Sequence, residues 1–200
     1  IAGNGLKVAY VVPDDYVADW NNLGPKVLSA YLRGILGTQY SPIASFPVLK
    51  ESDPSLVTYD RRIWIGRGAN PAAKINAKYA ALIKSLDEDG FIIAWDKETK
   101  KDLYISGKNP WGTIFAQFHF LETFANAEFF GPGVSWWDAG FPATSAQDLP
   151  KFQLQGPLDI VPYSQSIQLN LNLFGTNSVI VENPSYKNRF MSSPTAKVDY

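Results

Sequence analysis

One predicted helix carries the single histidine of the chain close to a glutamate. His119 and Glu122 are three residues apart, so both side chains lie on one face of a helix. Carboxylate–histidine metal sites use this spacing. The chain has no second histidine, and the nearby acid Glu128 falls on another part of the helix surface. The pattern therefore favours a partly buried, hydrogen-bonded histidine, and we expect no metal site and no cofactor.

Two adjacent tryptophans are the candidates for contact with a sugar. Trp136 and Trp137 stand in a segment rich in Pro and Gly, directly before Asp138. A tryptophan ring offers a large apolar face to a sugar and a polar edge to water. Trp111, at the start of a predicted helix, is the third candidate. The same rings could instead fill the edge of a core or a domain interface.

Two further motifs predict turns and not ligand sites. Residues 66–68 (Gly-Arg-Gly) lie between a predicted strand and a predicted helix, as dinucleotide-binding turns do. The third glycine of that fingerprint is missing, and Pro71 removes an amide that would face a phosphate. Residues 87–90 (Asp-Glu-Asp-Gly) lack the alternating acids and the final glutamate of a calcium loop. We expect a tight turn at residues 66–68 and a solvated turn at residues 87–90.

Composition excludes several classes of protein. The 200 residues contain no cysteine, which removes disulfide frameworks, thiolate zinc sites and cysteine nucleophiles. Lys and Arg number 18 against 19 acids, a balance that argues against a nucleic-acid partner. No apolar run approaches the roughly 20 residues of a membrane span. Pairs of carboxylates occur by chance among so many acids, so none of them alone indicates glycoside hydrolysis.

Apolar runs and amphipathic stretches predict an α/β domain with a mixed sheet. The helix that begins near Trp111 is the most apolar segment, so we expect it to be sandwiched within the fold. Strands are predicted at 6–12, around Val48, and at 62–65, 91–95, 103–106, 166–174 and 179–181. Helices are predicted from about 16 or 25 to 36, from 70 to 86, and from 111 to about 129.

Four motifs in the middle of the chain resemble a known kind of domain. In order, they are Asp89-Gly90-Phe91-Ile92-Ile93, Leu103-Tyr104-Ile105-Ser106-Gly107, Gly112-Thr113-Ile114-Phe115 with Phe120-Leu121-Glu122, and Phe130-Gly131-Pro132-Gly133. This order is similar to that of the small N-terminal α/β domain that precedes the catalytic barrel of α-glucuronidases and β-N-acetylhexosaminidases. It most resembles the related bacterial DUF4838 family. Glu128 and Phe129 depart from that pattern, which usually has Arg and Trp there.

The resemblance implies a fold, a role and a partner. It implies a mixed sheet with about three helices packed mainly on one face over residues 1–133. An irregular, β-rich extension would follow at 134–200 and lead into a barrel. In such enzymes this domain is non-catalytic, so we expect an accessory domain of a glycoside hydrolase-like protein. The chain alone would be no enzyme, its partner would be the catalytic barrel domain of the same polypeptide, and the protein would be bacterial and secreted or periplasmic.

Two other functions stay open. One is a stand-alone carbohydrate-binding module that holds a polysaccharide or oligosaccharide through Trp136, Trp137 or Trp111. The other is a small enzyme with acid–base carboxylates around Glu122 or Asp138, which requires an acid of raised pKa in a concave pocket. The accessory domain instead predicts an exposed apolar patch where the barrel docks.

Overall fold

The computed structural model describes residues 1–3, 5–17, 24–36, 46–66, 73–129, 159–160, 164 and 166–183. Over these ranges the chain forms a six-stranded mixed sheet with three α-helices packed against it, and two small two-stranded ladders. The helices are α1 (Lys26–Leu36), α2 (Ala73–Ser85) and α3 (Pro110–Ala125). The strands are β1 (Ala2–Gly3), β2 (Val8–Val12), β3 (Val48–Lys50), β4 (Arg61–Ile65), β5 (Phe91–Trp95), β6 (Asp102–Gly107), β7 (Glu128–Phe129), β8 (Asp159–Ile160), β9 (Ser166–Ile167) and β10 (Val179–Glu182).

The main sheet has the strand order β10-β5-β6-β4-β2-β3. Strands β3, β2, β4 and β6 are parallel to one another, whereas β5 is antiparallel to both of its neighbours. From β2 the chain continues through α1 to β3 on one side, and from β4 it continues through α2 towards β5 on the other. The direction of winding therefore reverses between β2 and β4. The small ladders pair β1 with β9 and β7 with β8.

The helices divide between the two faces of the sheet because successive strand residues point to opposite sides. In β4, Ile63 and Ile65 join the core formed with α1 and α3, and Trp64 joins the smaller core under α2. Most residues of helix α3 are buried, as its composition predicts. The expected mixed sheet with three helices is confirmed, and two of the three helices share a face.

Three glycines bring the ends of β5, β6 and α3 into close contact. A Cβ atom on Gly112 would lie 2.6 Å from the carbonyl oxygen of Gly90, and one on Gly107 would meet the backbone of Gly112. The Gly107 N–H donates to Oγ1 of Thr113 at 2.9 Å, and the Lys108 N–H donates to the Gly90 oxygen at 2.9 Å. We call this contact the glycine junction.

A buried glutamine of α3 binds the beginning of α1. Oε1 of Gln117 accepts a hydrogen bond from the Leu28 N–H at 3.1 Å, and its Nε2 donates to the Gly24 oxygen at 2.7 Å. The first amides of a helix have no partner within the helix. Gln117 thus supplies the Leu28 amide with a hydrogen-bond acceptor from a neighbouring helix.

Two predicted boundaries are wrong for local backbone reasons. Helix α3 ends at Ala125, earlier than predicted, because Asn126 adopts the left-handed conformation (φ 53°) and its N–H bonds to Leu121. The alternating segment 166–174 is a strand only at Ser166–Ile167. Oδ1 of Asn170 accepts a hydrogen bond from the Asn172 N–H, which opens a 3₁₀ turn at Leu171–Phe174.

Residues near the C-terminal end of the described chain complete the main sheet. Strand β10 pairs with β5, and Phe174 is buried and stacks on Phe124, with ring centroids 5.4 Å apart. The division after residue 133 into a first unit and an extension stays a prediction. The predicted start of α2 at Asn70 and Pro71 lies outside the described residues.

Candidate functional site

Five charged side chains meet under α2, on the face of the sheet that this helix covers. They are Arg62, Lys74, Lys78, Asp96 and Asp102, which we call the charged cluster. Arg62 lies opposite Asp102 in the register of β4 and β6. Lys74 and Lys78 are four residues apart on α2, so both reach the same side of that helix.

Asp102 is the centre of the cluster and is fully buried. Its oxygens accept hydrogen bonds from Nε and Nη2 of Arg62 at 2.6 and 2.9 Å. Nε1 of Trp64 and Nζ of Lys74 each donate to it at 2.7 Å. The bidentate hydrogen bonding by Arg62 fixes the orientation of the Asp102 carboxylate, because the planar guanidinium matches both carboxylate oxygens.

Asp96 closes the other side of the cluster, just after β5. It is buried, and Oδ2 lies 3.0 Å from Nζ of Lys78. Its Oδ1 accepts hydrogen bonds from the N–H groups of Glu98 and Thr99 at 3.0 and 3.3 Å. Asp96 therefore shapes the hairpin turn between β5 and β6 in addition to pairing with α2.

Aromatic rings line the two lysines. Nζ of Lys74 lies 5.0 Å from the ring centroid of Trp64, and Nζ of Lys78 lies 5.9 Å from that of Tyr104. A cation over an aromatic face is attracted by the ring's negative charge density. Each lysine thus contacts both a carboxylate and a ring.

The electrostatics of the cluster keep both carboxylates charged. Burial acts to raise the pKa of Asp102, but hydrogen bonds from Lys74, Trp64 and Arg62 outweigh it and hold that pKa below its ordinary value. At Asp96, burial is likewise outweighed by the hydrogen bonds from Lys78 and the two turn amides, so its pKa is lowered. A carboxyl of lowered pKa is a poor general acid near neutral pH. The arrangement is suited to holding α2 on the sheet.

The crevice at the reversal of winding is a second place to consider, because open α/β sheets bind ligands there. Nζ of Lys50 donates to the backbone oxygen of Tyr16. Oε2 of Glu51 accepts a hydrogen bond from the Ala73 N–H, at the start of α2, at 2.6 Å. These polar groups of the crevice bind the chain itself.

Of the three tryptophans predicted to contact sugar, the structure describes one. The side chain of Trp111 is 43% exposed in the first turn of α3. Beside it, Asn109 caps the helix through a 2.8 Å hydrogen bond from the Gly112 N–H, and its Nδ2 donates to the Glu88 oxygen. Trp136 and Trp137 lie outside the described residues, so contact of either ring with a sugar stays a prediction.

The other candidates from the sequence lie apart from the charged cluster. His119 is half-buried and its ring packs on Phe91, with centroids 5.4 Å apart. Glu122 is exposed on α3, and Asp138 is outside the described residues. Within the described part of the chain, no group of three or more His, Asp or Glu side chains is placed to hold a metal ion. No helix found there is long and apolar enough to cross a membrane.

Sequence reasoning missed the charged cluster, although its pattern contains a signal. Arg62 begins the predicted strand at 62–65, and Asp102 directly precedes the one at 103–106. A charge at a buried strand position requires a partner. Two lysines four residues apart on the next helix, Lys74 and Lys78, could supply one.

No protein-family model matches the chain, and the search of curated proteins finds no match either. The likeness to the DUF4838 family therefore depends on the sequence motifs alone.

Proposed function

We propose that the chain is a non-catalytic accessory domain of a glycoside hydrolase-like protein. The resemblance depends on a few motif residues, and the supporting observation is the structural role that those residues have in the fold. Gly90, Gly107 and Gly112 come from three separate motifs and meet in the glycine junction. Their role is architectural: Gly107 and Gly112 permit a close backbone approach that a side chain would block, and a Cβ atom on Gly90 would collide with the side chains of Asn183 and Leu86. On this proposal the fold is that of the N-terminal domain of β-N-acetylhexosaminidases, and the protein is bacterial and secreted or periplasmic.

The state of the buried carboxylates also supports a non-catalytic role. Asp96 and Asp102 are hydrogen-bonded on several sides and are neutralised by Lys78, Lys74 and Arg62. An acid–base pair for glycoside hydrolysis needs one carboxyl of raised pKa and both groups facing a cleft. Neither aspartate meets that requirement.

An accessory domain needs a surface for its catalytic partner. Leu171 and Leu173 are 50% and 48% exposed on the 3₁₀ turn next to β10, and Val181 of β10 is 42% exposed. Strand β10 lies at the edge of the main sheet. We propose that the barrel domain of the same polypeptide packs against this edge, where it would cover exposed leucines.

The test begins with the coding sequence beyond the codon for Tyr200. We expect a barrel domain to follow, and we expect the 200-residue chain alone to leave a panel of aryl glycosides intact while the longer polypeptide hydrolyses at least one. The barrel, produced separately, should bind the chain in calorimetry, and Leu173→Asp should weaken that binding. Val57→Asp is the matched control, because Val57 is 76% exposed away from β10. A stop codon after Tyr200, or hydrolysis by the chain alone, would overturn the proposal.

The exposure of Trp111 favours one second candidate, a carbohydrate-binding module. A half-exposed ring next to polar groups such as Asn109 suits stacking on a sugar. Soluble glycans should then quench tryptophan fluorescence, and Trp111→Ala should remove the response. Trp136→Ala and Trp137→Ala test the remaining two candidates. If a broad glycan panel leaves the fluorescence unchanged, the binding-module hypothesis is wrong.

A further inference from the structure

Basic side chains gather at one end of the main sheet; those of Lys7 and Lys101 are exposed, and that of Arg61 is partly buried. Lys7 directly precedes β2, Arg61 begins β4, and Lys101 directly precedes β6. The registers Val8–Arg61 and Arg62–Asp102 place these three residues on adjacent strands at the same end. Neighbouring strands are about 4.8 Å apart, so the cations form a row.

The hairpin turn from β5 to β6 extends this row. Lys97 and Lys100 are exposed in that turn, and Nζ of Lys97 donates to a backbone oxygen, that of Thr176. Among the described residues, no ion pair joins Lys7, Arg61, Lys97, Lys100 or Lys101 to an acid. The exposed acids nearby are Asp60 and Glu98, and Oδ2 of Asp60 accepts from the Lys7 N–H. We call the five basic residues the basic end.

The opposite end of the sheet carries the reverse charge. Asp14 follows β2, Asp87 and Glu88 precede β5, and Glu182 ends β10; all four are exposed. Of the described lysines near them, Lys84 is exposed, while Nζ of Lys50 donates to the backbone oxygen of Tyr16 and Nζ of Lys108 to those of Lys84 and Leu86. The chain as a whole has a net charge of -1. Over the described residues the charge is therefore separated along the strand direction and not simply balanced.

We propose that the basic end binds the acidic end of a second copy of this chain. The two ends have complementary charge, and complementary patches steer and orient association. Because the two surfaces differ, the contact is head-to-tail. Unless the assembly closes into a ring, each bound copy leaves a free end to which another copy can bind. A nucleic-acid partner is disfavoured, since single-strand binding uses exposed aromatic rings, and Trp111, the exposed aromatic ring within the described ranges, stands at the acidic end. This inference is independent of the proposed function.

Sedimentation of the 200-residue chain tests the contact. Its average mass should rise with concentration at about 10 mM salt and return to that of the monomer at about 1 M, where the Debye length is about 3 Å. Lys100→Glu with Lys101→Glu should remove the association, as should Asp87→Lys with Glu88→Lys. An equimolar mixture of these two variants should associate again, because one now has two acidic ends and the other two basic ends.

A matched variant distinguishes the effect of a charge at the basic end from the effect of the net charge of the chain. Lys101→Glu and the double variant Ala77→Glu with Ala81→Glu change the net charge equally, and residues 77 and 81 are exposed on α2. Lys101→Glu should lower the association constant about tenfold, the combined effect of a few exposed ion pairs. The α2 variant should leave it nearly unchanged. Equal effects of both, or a monomer at every low-salt concentration, would overturn the proposal, as would a monomer that binds heparin through Lys101.

Discussion

Gly107, the last residue of β6, lies so close to Gly112 that a Cβ atom on Gly107 would come within 2.3 Å of the Gly112 carbonyl carbon. The atoms in the way are backbone atoms of α3, which cannot move without displacing the helix. Helix α3 also packs on β5 and β6. The absence of one side chain therefore sets the position of this largely buried helix.

Gly107→Ala should lower the free energy of unfolding by about 3 kcal/mol or more, because a clash with backbone in a packed region cannot relax locally. Urea unfolding followed by circular dichroism measures the change. Gly175→Ala is the control, since nothing lies within 4 Å of a Cβ there and the cost is that of its positive φ, 60°. With ψ at −169° the residue has a conformation that essentially only glycine adopts, and the cost is about 1–3 kcal/mol. Equal losses in the two variants would show that crowding at Gly107 is unimportant.

Asp102→Ala should lower the free energy of unfolding by about 3–5 kcal/mol, because Arg62 and Lys74 would keep their charges without the carboxylate between them. Denaturant titration of the purified variant gives the value. Glu98→Gln is a suitable control, being an exposed acid on the neighbouring turn, and should change stability by less than about 0.5 kcal/mol. A small loss for Asp102→Ala would mean that the cluster adds little to the attachment of α2.

Acid should destabilise the fold through the same two aspartates. Their pKa values are lowered in the folded state, so the unfolded chain binds protons more readily as pH falls. The stabilisation is complete above the unfolded aspartate pKa of about 3.9 and is lost as pH falls through the lower folded value. Stability measured from pH 7 down to pH 2 should therefore decline mainly below about pH 4. The double variant Asp96→Asn with Asp102→Asn should be less stable at neutral pH and should lose less on acidification.

Gln117→Leu should loosen the beginning of α1 more than the rest of the fold. The change leaves the Leu28 N–H and the Gly24 oxygen without the amide that now binds both. An unsatisfied buried polar group costs about 1–3 kcal/mol. Hydrogen exchange should show faster exchange at the Leu28 amide, while amides of β5 exchange as in the parent chain. Glu122→Gln, an exposed change on the same helix, should leave the Leu28 amide protected.

Much of the fold could be predicted because its central strands are short, apolar and bounded by polar turns. The predicted strand at 91–95 agrees with β5, and the prediction at 103–106 differs from β6 by one residue at each end. The alternation at 166–174 misled because Asn170 can bind the backbone two residues ahead, which competes with a strand. The hydrophobic periodicity of the segment does not show that a side chain competes with the strand for a backbone amide.

The sequence contains the charged residues of the cluster but does not show that they meet, for a different reason. Arg62 and Asp102 are 40 residues apart, and they meet only because β4 and β6 pair in one register. A shift of that register by one residue would place Asp102 on the opposite face of the sheet. Which strands are neighbours, and in which register, has to be known before the partners can be named.

The pairing of β1 with β9 has a consequence for how the chain folds during synthesis. Ala2 lies opposite Ile167, and β5 gains β10 as its outer neighbour only once residues 179–182 exist. At the usual 5–20 residues per second, β1 waits about 10–30 s for its partner strand to be translated. Contacts so distant in sequence also slow folding after release from the ribosome. A nascent chain that stops before Phe174 exposes the outer edge of β5 and part of the core under α3, so it offers a binding surface to chaperones.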